Sequence, residues 1–345
     1  MTGSDEDRLK WAVEEGNATE VELLLEQGAN PGLKDESQQM PLVWAAKAGQ
    51  TDVVRLLLEK DVEIDSRDEE GRTPLSYAAE EGHAAVVSLL LDKGADVHSR
   101  DEAEWTPLMS AAMRGHEAVA SLLLEGGAGP DTRDNDGWSP LLHAAADGHA
   151  GVVSLLLERG ADPDIRDEEQ QSAISWAAEH GHLAVVELLL ARNVSPNDDE
   201  TDQTPLAKAL DHSFDTEDYT IVKLLLKHGA DPFSEVYWDN RSPLELAAAN
   251  GLKEMVALFL SVDAVSSRAK QDHVREAICK AAMGRREDLL ELLFAHYSPE
   301  ETDLLTPWER VSNQSCGCTE EISLSLLRPY LPPGTGGEEK ESADK

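Results

Sequence analysis

Cysteine is nearly absent from this chain, which has three among 345 residues. An odd and sparse set of thiols does not form a disulfide framework, so the sequence predicts a protein of a reducing compartment, the cytoplasm or the nucleus. Long apolar runs are missing too, because no stretch approaches the roughly 18 residues that a membrane span requires. The acidic first residues predict no signal peptide. We therefore expect an intracellular protein that does not enter the membrane.

Positive charge is also scarce. The chain has 30 lysines and arginines against 68 aspartates and glutamates, a formal net charge of −38. A surface this acidic repels the phosphates of nucleic acids and of anionic lipids, so neither is an expected partner, whereas a basic protein surface is. Aromatic residues make up only 5% of the chain, which suits helices rich in alanine and leucine better than a β-sandwich.

What the chain does contain is a repeat of 33 residues. The tripeptide Thr-Pro-Leu, or a variant of it, begins at positions 40, 73, 106, 139 and 172. A pair of alanines follows at a fixed distance, and three consecutive leucines occur near the end of each unit. Self-similarity at a fixed period is the signature of a solenoid, in which each unit packs on its neighbours.

The local chemistry of one unit predicts two helices. Thr73 is placed to cap the first helix, with Pro74 at the first helical position, where its missing N–H costs nothing. Gly82 ends this helix, and Gly94 supplies the left-handed turn that stops the second one. In repeats that lack this second glycine, the equivalent position holds a residue that tolerates positive φ. These residues are Asp61, Asn193 and Asp263.

The motifs described so far, with Gly-His and Gly-Ala-Asp at their own fixed positions, resemble the ankyrin-repeat family over roughly residues 7 to 296. The resemblance implies an all-α ankyrin-repeat solenoid of about eight repeats, in which helix pairs are joined by β-hairpin-like finger loops. Such a repeat array acts by binding other proteins, and we expect it to be a monomer.

The repeat is regular in some parts of the chain and divergent in others, and on this basis we divide the chain into five segments. Residues 1–34 read as an amino-terminal half-repeat or cap, and 35–198 as five regular repeats. Residues 199–296 read as divergent repeats and a carboxy-terminal cap, with four extra residues between the two helices near position 212. Residues 297–333 could hold an eroded repeat, and 334–345 an acidic tail without a fold.

Residues that could carry catalysis or bind metal have simpler explanations in the repeat. The histidines of the Gly-His motif recur once per repeat, too far apart to share an ion. Cys316 and Cys318 lack the second cysteine pair of a zinc site. Neither a nucleophile motif nor a phosphate loop is present. We therefore expect no catalytic residues, no metal and no cofactor.

Charged pairs at the finger positions point to a role in repeat register. A basic residue directly precedes an aspartate at positions 34–35, 67–68, 100–101, 133–134 and 166–167. On stacked fingers these residues form adjacent columns of opposite sign. Because single exposed ion pairs contribute only about 0–1 kcal/mol, we expect these columns to set register more than to add stability.

Aromatic residues recur at two positions of the repeat that, by analogy with the family, face the concave side. One position precedes the helix cap and is occupied elsewhere by glutamine or arginine, which suggests an exposed site. The other lies in the first helix and is occupied in two repeats by serine or histidine, a pattern that also suggests a surface and not a core. Packing between repeats is the alternative interpretation. The predicted partner-binding residues are Trp44, Tyr77, Trp105, Trp138, His143 and Trp176.

The sequence thus predicts a non-catalytic scaffold that binds a basic protein in its concave groove. Two alternatives remain open: a structural spacer or cap within a larger assembly, and an enzyme whose chemistry resides in residues 297–333. A passive spacer has no need of exposed tryptophan, which favours the binding function.

Overall fold

The computed structural model describes residues 5–197, 204–234, 241–262 and 267–296. The chain divides into two compact units, residues 1–195 and 196–345. The described residues form 18 α-helices, arranged as nine consecutive pairs, and one isolated bridge between Arg166 and Ser172. The fold is an all-α repeat solenoid, as the sequence predicted.

Within unit 1, the first helices of successive pairs pack side by side, and the second helices form a parallel layer behind them. The first helices are α1 (Asp5–Glu14), α3 (Pro41–Lys47), α5 (Pro74–Glu80), α7 (Pro107–Met113), α9 (Pro140–Ala146) and α11 (Ala173–Glu179). The second helices are α2 (Ala18–Glu26), α4 (Thr51–Leu58), α6 (Ala84–Asp92), α8 (Glu117–Glu125), α10 (Ala150–Glu158) and α12 (Leu183–Ala191).

Unit 2 contains three further pairs. They are α13 (Pro205–Thr216) with α14 (Thr220–Lys227), α15 (Pro243–Asn250) with α16 (Lys253–Leu260), and α17 (Ser267–Met283) with α18 (Glu287–His296). The extra residues near position 212 lengthen α13 to 12 residues, and Glu217 ends it with a φ of 57°.

The predicted helix boundaries follow from capping. The Thr73 hydroxyl accepts a hydrogen bond of 3.2 Å from the backbone N–H of Ser76, with Pro74 at the first helical position. At the ends of the second helices, Gly94 has a φ of 91°, while Asp61 and Asn193 reach 58° and 63° without glycine. The predicted column of positive φ is therefore confirmed at these three positions. Asp263, the fourth, lies outside the described residues.

The Gly-His motif joins consecutive repeats. The ring Nε2 of each of these histidines donates to a backbone carbonyl at the end of the first helix of the preceding repeat. The histidine must be the donor, because a carbonyl oxygen can only accept. The bonds run from His83 to Lys47 at 3.0 Å, His116 to Glu80 at 2.9 Å, His149 to Met113 at 2.8 Å and His182 to Ala146 at 2.9 Å. A structural role for this column is what the sequence predicted.

Each finger is a tight loop closed by its own aspartate. Asp134 accepts backbone hydrogen bonds from Asp136 and Trp138 with one carboxylate oxygen, while its backbone N–H donates to the Trp138 carbonyl at 3.1 Å. Neighbouring fingers are linked by the arginine column, in which Arg133 donates to the Arg166 carbonyl at 2.8 Å. Arg100 makes the same contact with the Arg133 carbonyl at 3.2 Å. Register therefore rests on arginine–carbonyl bonds, and the aspartates serve their own finger.

The structure describes helices within three of the five predicted segments. The amino-terminal segment 1–34, expected as a half-repeat, contains the complete helix pair α1 and α2. The boundary between the two units falls at Ser195 and Pro196, close to the expected change of pattern after residue 198. The segments 297–333 and 334–345 lie outside the described residues, as do Cys316 and Cys318.

Close packing under the histidines predicts that alanine substitutions at two glycines with similar backbone conformations will reduce stability by different amounts. A methyl group added at Gly82, with φ of 77°, would lie 2.6 Å from the His116 ring, whereas one added at Gly94, with φ of 91°, meets nothing within 4 Å. We expect Gly94→Ala to cost about 1–2 kcal/mol from backbone strain alone. Gly82→Ala should cost about 1–3 kcal/mol more, because the ring must move.

Urea unfolding followed by circular dichroism measures both losses. In a His116→Ala background the extra loss from Gly82→Ala should disappear, because the ring that opposes the new methyl group is gone. Equal losses for Gly82→Ala and Gly94→Ala in the otherwise unaltered chain would show that the packing under His116 does not constrain this turn.

Candidate functional site

In three fingers the aspartate also anchors a side chain of the following first helix, nine residues later. The Tyr77 hydroxyl donates to Asp68 at 2.6 Å, and the Trp176 indole N–H donates to Asp167 at 2.8 Å. His143 Nε2 lies 2.9 Å from the Asp134 carboxylate and donates to it. One column of the predicted site is thus fixed to the finger by a hydrogen bond.

This anchoring buries part of the predicted site. Tyr77 is 5% exposed, Trp44 7% and His143 8%, so the exposure inferred from the column pattern is wrong at these three positions. For Tyr77 and His143 the physical reason is the hydrogen bond to the finger aspartate, which holds each ring against the finger. The indole N–H of Trp44 is buried without a hydrogen-bond partner. Polar neighbours in the column therefore did not indicate a solvent-exposed position.

Three of the predicted residues, Trp105, Trp138 and Trp176, remain half-buried and lie together. The rings of Trp138 and Trp176 are 4.7 Å apart between centroids, and tilted by 45°. The His143 ring is 4.5 Å from that of Trp105 and 5.1 Å from that of Trp138. His180 extends the row, with its ring 5.8 Å from Trp176. The result is a continuous aromatic wall across consecutive repeats.

The aromatic wall lines an open cleft of about 350 Å³, which we call the aromatic cleft. It brings four of the six predicted residues together and leaves out Trp44 and Tyr77. Its lining consists of Trp105, Met113, Asp134, Asp136, Trp138, His143, Ala146, Asp147, Trp176 and His180. Every charged residue in this lining other than histidine is an aspartate, so the cleft combines aromatic surface with negative charge.

Sequence reasoning missed Asp136, Asp147 and His180 as members of the site. Asp136 lies at a finger tip, and the other two lie just after a first helix. All three are exposed. The chain has so many carboxylates that no sequence signal separates Asp136 and Asp147 from the rest. Only the proximity of the finger tip to the end of the first helix places them around the same cleft.

The two buried aspartates of the cleft region have opposite electrostatic behaviour. Burial raises the pKa of Asp134, but the hydrogen bonds from His143 and from the backbone of Trp138 outweigh it and leave that pKa below its ordinary value. Burial also raises the pKa of Asp167, and there the bonds from Gln171 and Trp176 do not offset it. The helix residue facing each aspartate accounts for part of this difference, because His143 can carry a positive charge and Trp176 cannot.

The aromatic rings nearer the amino terminus are already covered by cations of the chain itself. Lys10 Nζ lies 4.8 Å from the Trp44 ring centroid and 3.1 Å from the Asp35 carboxylate. Arg72 lies 4.0 Å from the Tyr77 ring centroid, and Lys47 5.3 Å. Among the residues that the structure describes, no lysine or arginine lies over the rings of Trp105 and Trp138 in this way. This contrast separates a closed part of the aromatic columns from an open one.

No group of three or more histidine, cysteine, aspartate or glutamate side chains is arranged to hold a metal ion within the described ranges. In the same residues, no helix is both long and apolar enough to cross a membrane.

A family model described as ankyrin repeats in three copies matches residues 9–101, 96–167 and 160–236. The chain therefore belongs to the ankyrin-repeat family. Members of this family generally mediate protein–protein interaction and are typically non-catalytic. A search of curated proteins gives no match to this chain.

The opposite pKa directions predict opposite pH dependence for two matched substitutions. Asp134 has a lowered folded pKa, so its stabilising contribution is present above its unfolded pKa near 3.8 and is lost as pH falls through the folded value. Asp167 has a raised folded pKa, so its contribution is present below about 3.8 and is lost as pH rises through the folded value.

We expect the stability loss caused by Asp134→Asn to shrink between pH 6 and pH 3, and the loss caused by Asp167→Asn to grow. Both variants retain an amide oxygen that can accept the backbone bonds of the finger. Urea unfolding of the variants and of the unaltered chain, at several pH values in that range, measures the two differences. Parallel pH profiles would contradict this account of the finger aspartates.

Proposed function

We propose that this protein is a non-catalytic scaffold that binds a basic partner protein, as a monomer, in the cytoplasm or the nucleus. The partner site is the aromatic cleft, with Trp105, Trp138 and Trp176 as its anchors. The observation that supports this proposal most strongly is the row of half-buried tryptophan rings that lines an open cleft.

The energetics of interfaces support this choice of anchors. Tryptophan is among the residues that dominate binding energy, most of all where it lies in a pocket from which water is expelled on association. Trp138 contacts both Trp176 and His143, so its ring is held before a partner arrives. An ordered anchor loses little side-chain entropy on binding. Tyr77 and Trp44 contribute from beneath the surface by supporting the neighbouring fingers.

Charge supports a basic partner. The formal charge of −38 gives the protein a negative field, and the lining of the cleft adds aspartates without any lysine or arginine. Opposite charge on a partner raises the encounter rate and disfavours acidic competitors.

The test begins with affinity purification of the partner and continues with variants of the tagged protein. We expect Trp138→Ala to weaken binding by about 30-fold, the loss typical of a central tryptophan anchor. The matched control is Trp11→Ala, which removes a tryptophan that is 56% exposed and lies outside the cleft. Its affinity should stay within about twofold of the unaltered protein, as for residues outside a contact centre.

Calorimetric titration gives the affinities, and circular dichroism verifies that each variant is folded. Because Trp138 is half-buried, some loss of stability is expected as well, and binding is compared only at temperatures where both variants are fully folded. Equal affinities for Trp138→Ala and the unaltered protein would rule out the cleft as the partner site. A spacer function would then be the better explanation.

Salt dependence tests the charge argument. Screening shortens the reach of exposed charges from about 10 Å at 0.1 M salt to about 3 Å at 1 M. The association rate of the partner should therefore fall at least about tenfold over this range, while the dissociation rate changes less. Surface plasmon resonance measures both rates. An association rate that is independent of salt would contradict electrostatic steering.

A further inference from the structure

The turn that follows each second helix is joined to the preceding repeat by a carboxylate at two places in unit 1. Asp65 accepts a hydrogen bond of 3.0 Å from the backbone N–H of Asp96. Asp131 accepts one of 2.9 Å from the backbone N–H of Asp162. At both places the acceptor lies 31 residues before the donor, so the bond links consecutive repeats.

A second carboxylate comes from the residue that begins the turn. Asp96 accepts a hydrogen bond from the backbone N–H of His98 at 2.9 Å, and Asp162 accepts one from Asp164 at 3.0 Å. Short polar side chains satisfy the backbone in this way where neither helix nor sheet can do so. Each of these two turns therefore has two aspartate acceptors for its backbone N–H groups.

The turn between these two lacks both carboxylates. His98 and Gly129 occupy the two positions that hold aspartate in the repeats before and after. No atom of the described residues accepts a hydrogen bond from the backbone N–H of Gly129, Asp131 or Thr132. The Thr132 hydroxyl donates to the Gly129 carbonyl at 3.1 Å, so the turn stays closed without its aspartate.

A cavity of about 50 Å³ lies at this turn, and we call it the Gly129 pocket. His98, Arg100, Gly129 and Thr132 are among the residues that line it, and none of its lining residues belongs to the aromatic cleft. One water needs about 10–15 Å³ of such volume, so the pocket has room for roughly three to five atoms of similar size. A carboxylate group, with one carbon and two oxygens, fits within this space.

Arg100 brings positive charge to the Gly129 pocket. Its Nη1 forms an ion pair with Glu104 at 2.7 Å and donates to the Arg133 carbonyl at 3.2 Å. Its Nε and Nη2 groups donate to no atom of the described residues. These two groups share one edge of the guanidinium, and such an edge can bind a carboxylate through two parallel hydrogen bonds.

We propose that the Gly129 pocket binds a carboxylate group of another molecule in place of the aspartates that this turn lacks. The backbone N–H groups of Gly129 and Thr132 donate to its oxygens, and Arg100 balances its charge. Neighbouring backbone N–H groups of a turn form anion-binding concavities in other proteins as well. The inference goes beyond the proposed function, because it concerns a different site and a ligand of opposite charge.

A carboxylate suits the pocket better than a phosphate. The chain itself places carboxylates at the equivalent positions, in Asp65 and Asp131. A phosphate group carries a charge of about −1.5 to −2 at neutral pH, which a protein with a formal net charge of −38 repels more strongly.

The experiment uses the full chain labelled with ¹⁵N and two probes of the same shape, acetate and acetamide, with sodium chloride keeping the ionic strength constant. The backbone N–H signals of Gly129 and Thr132 report binding. Acetate should move both signals downfield with a dissociation constant of about 10 mM, typical of a few charge-assisted hydrogen bonds in water. Acetamide should bind at least about tenfold more weakly, because it has no charge. The signals of Asp96 and Asp162, which are already bonded, should stay in place.

Substitution of His98 tests the position of the ligand. His98→Asn supplies an amide oxygen, like that of Asn197, which accepts from the backbone N–H of Asp231 at 2.8 Å in unit 2. This variant should satisfy Gly129 internally and weaken acetate binding at least about tenfold. The matched control His98→Ala removes the same exposed ring without supplying an acceptor, and its dissociation constant should stay within about threefold of the unaltered chain.

The carboxylate could come from a free small acid or from an acidic side chain, and a further probe separates the two. A peptide of glycine and serine with one central aspartate should shift the same signals if a side chain can reach the pocket. Binding of acetate without binding of this peptide would assign the pocket to a free acid.

Three results would overturn the inference. Equal binding of acetate and acetamide would show that charge is not recognised. Unchanged acetate affinity in His98→Asn would place the ligand elsewhere. Unshifted Gly129 and Thr132 signals at 100 mM acetate, roughly ten times the expected constant, would show that the pocket binds no carboxylate.

Discussion

A buried finger aspartate determines the geometry on which the aromatic surface depends. One oxygen of its carboxylate accepts backbone N–H groups of the finger, as Asp134 does from Asp136 and Trp138, and the other oxygen faces a side chain of the following helix. Such a carboxylate is costly to leave without partners, so these bonds hold finger and helix together in the repeats of Asp68, Asp134 and Asp167. The orientation is local, and the arginine–carbonyl bonds between fingers extend it along the unit.

The same constraint leaves the partner of the aspartate free to vary in type. Tyrosine, histidine and tryptophan each supply one donor at this position, in Tyr77, His143 and Trp176. The rest of the ring differs among these three residues, so ring size and charge can change at this position without a change of fold. Variation of this kind lets a repeat protein present different surfaces on one backbone. The opposite pKa directions of Asp134 and Asp167 arise from such a change of neighbours.

The parts of the structure that the sequence predicted are those in which one residue has one local cause. Thr73 caps its helix, Asp61 and Asn193 take positive φ, and the Gly-His histidines bond across repeats, because each role is restricted to a few residue types. The solvent exposure of side chains could not be predicted from the sequence in this way. Tyr77 and His143 occupy a column with polar neighbours yet are buried, because the hydrogen bond to the finger aspartate satisfies their polar atoms.

The cleft itself depends on two positions that vary together along the array. In the repeat of Arg72, a cation covers the ring of Tyr77, so the aromatic surface is consumed internally. Trp105 and Trp138 occupy the position of that arginine in the following two repeats and add rings, and the exposed carboxylates of Asp136 and Asp147 line the cleft beside them. Aromatic faces next to negative charge favour contact with a basic side chain of another molecule. A repeat protein can therefore change the surface that it presents by exchanging single residues at fixed positions, with no rearrangement of its helices.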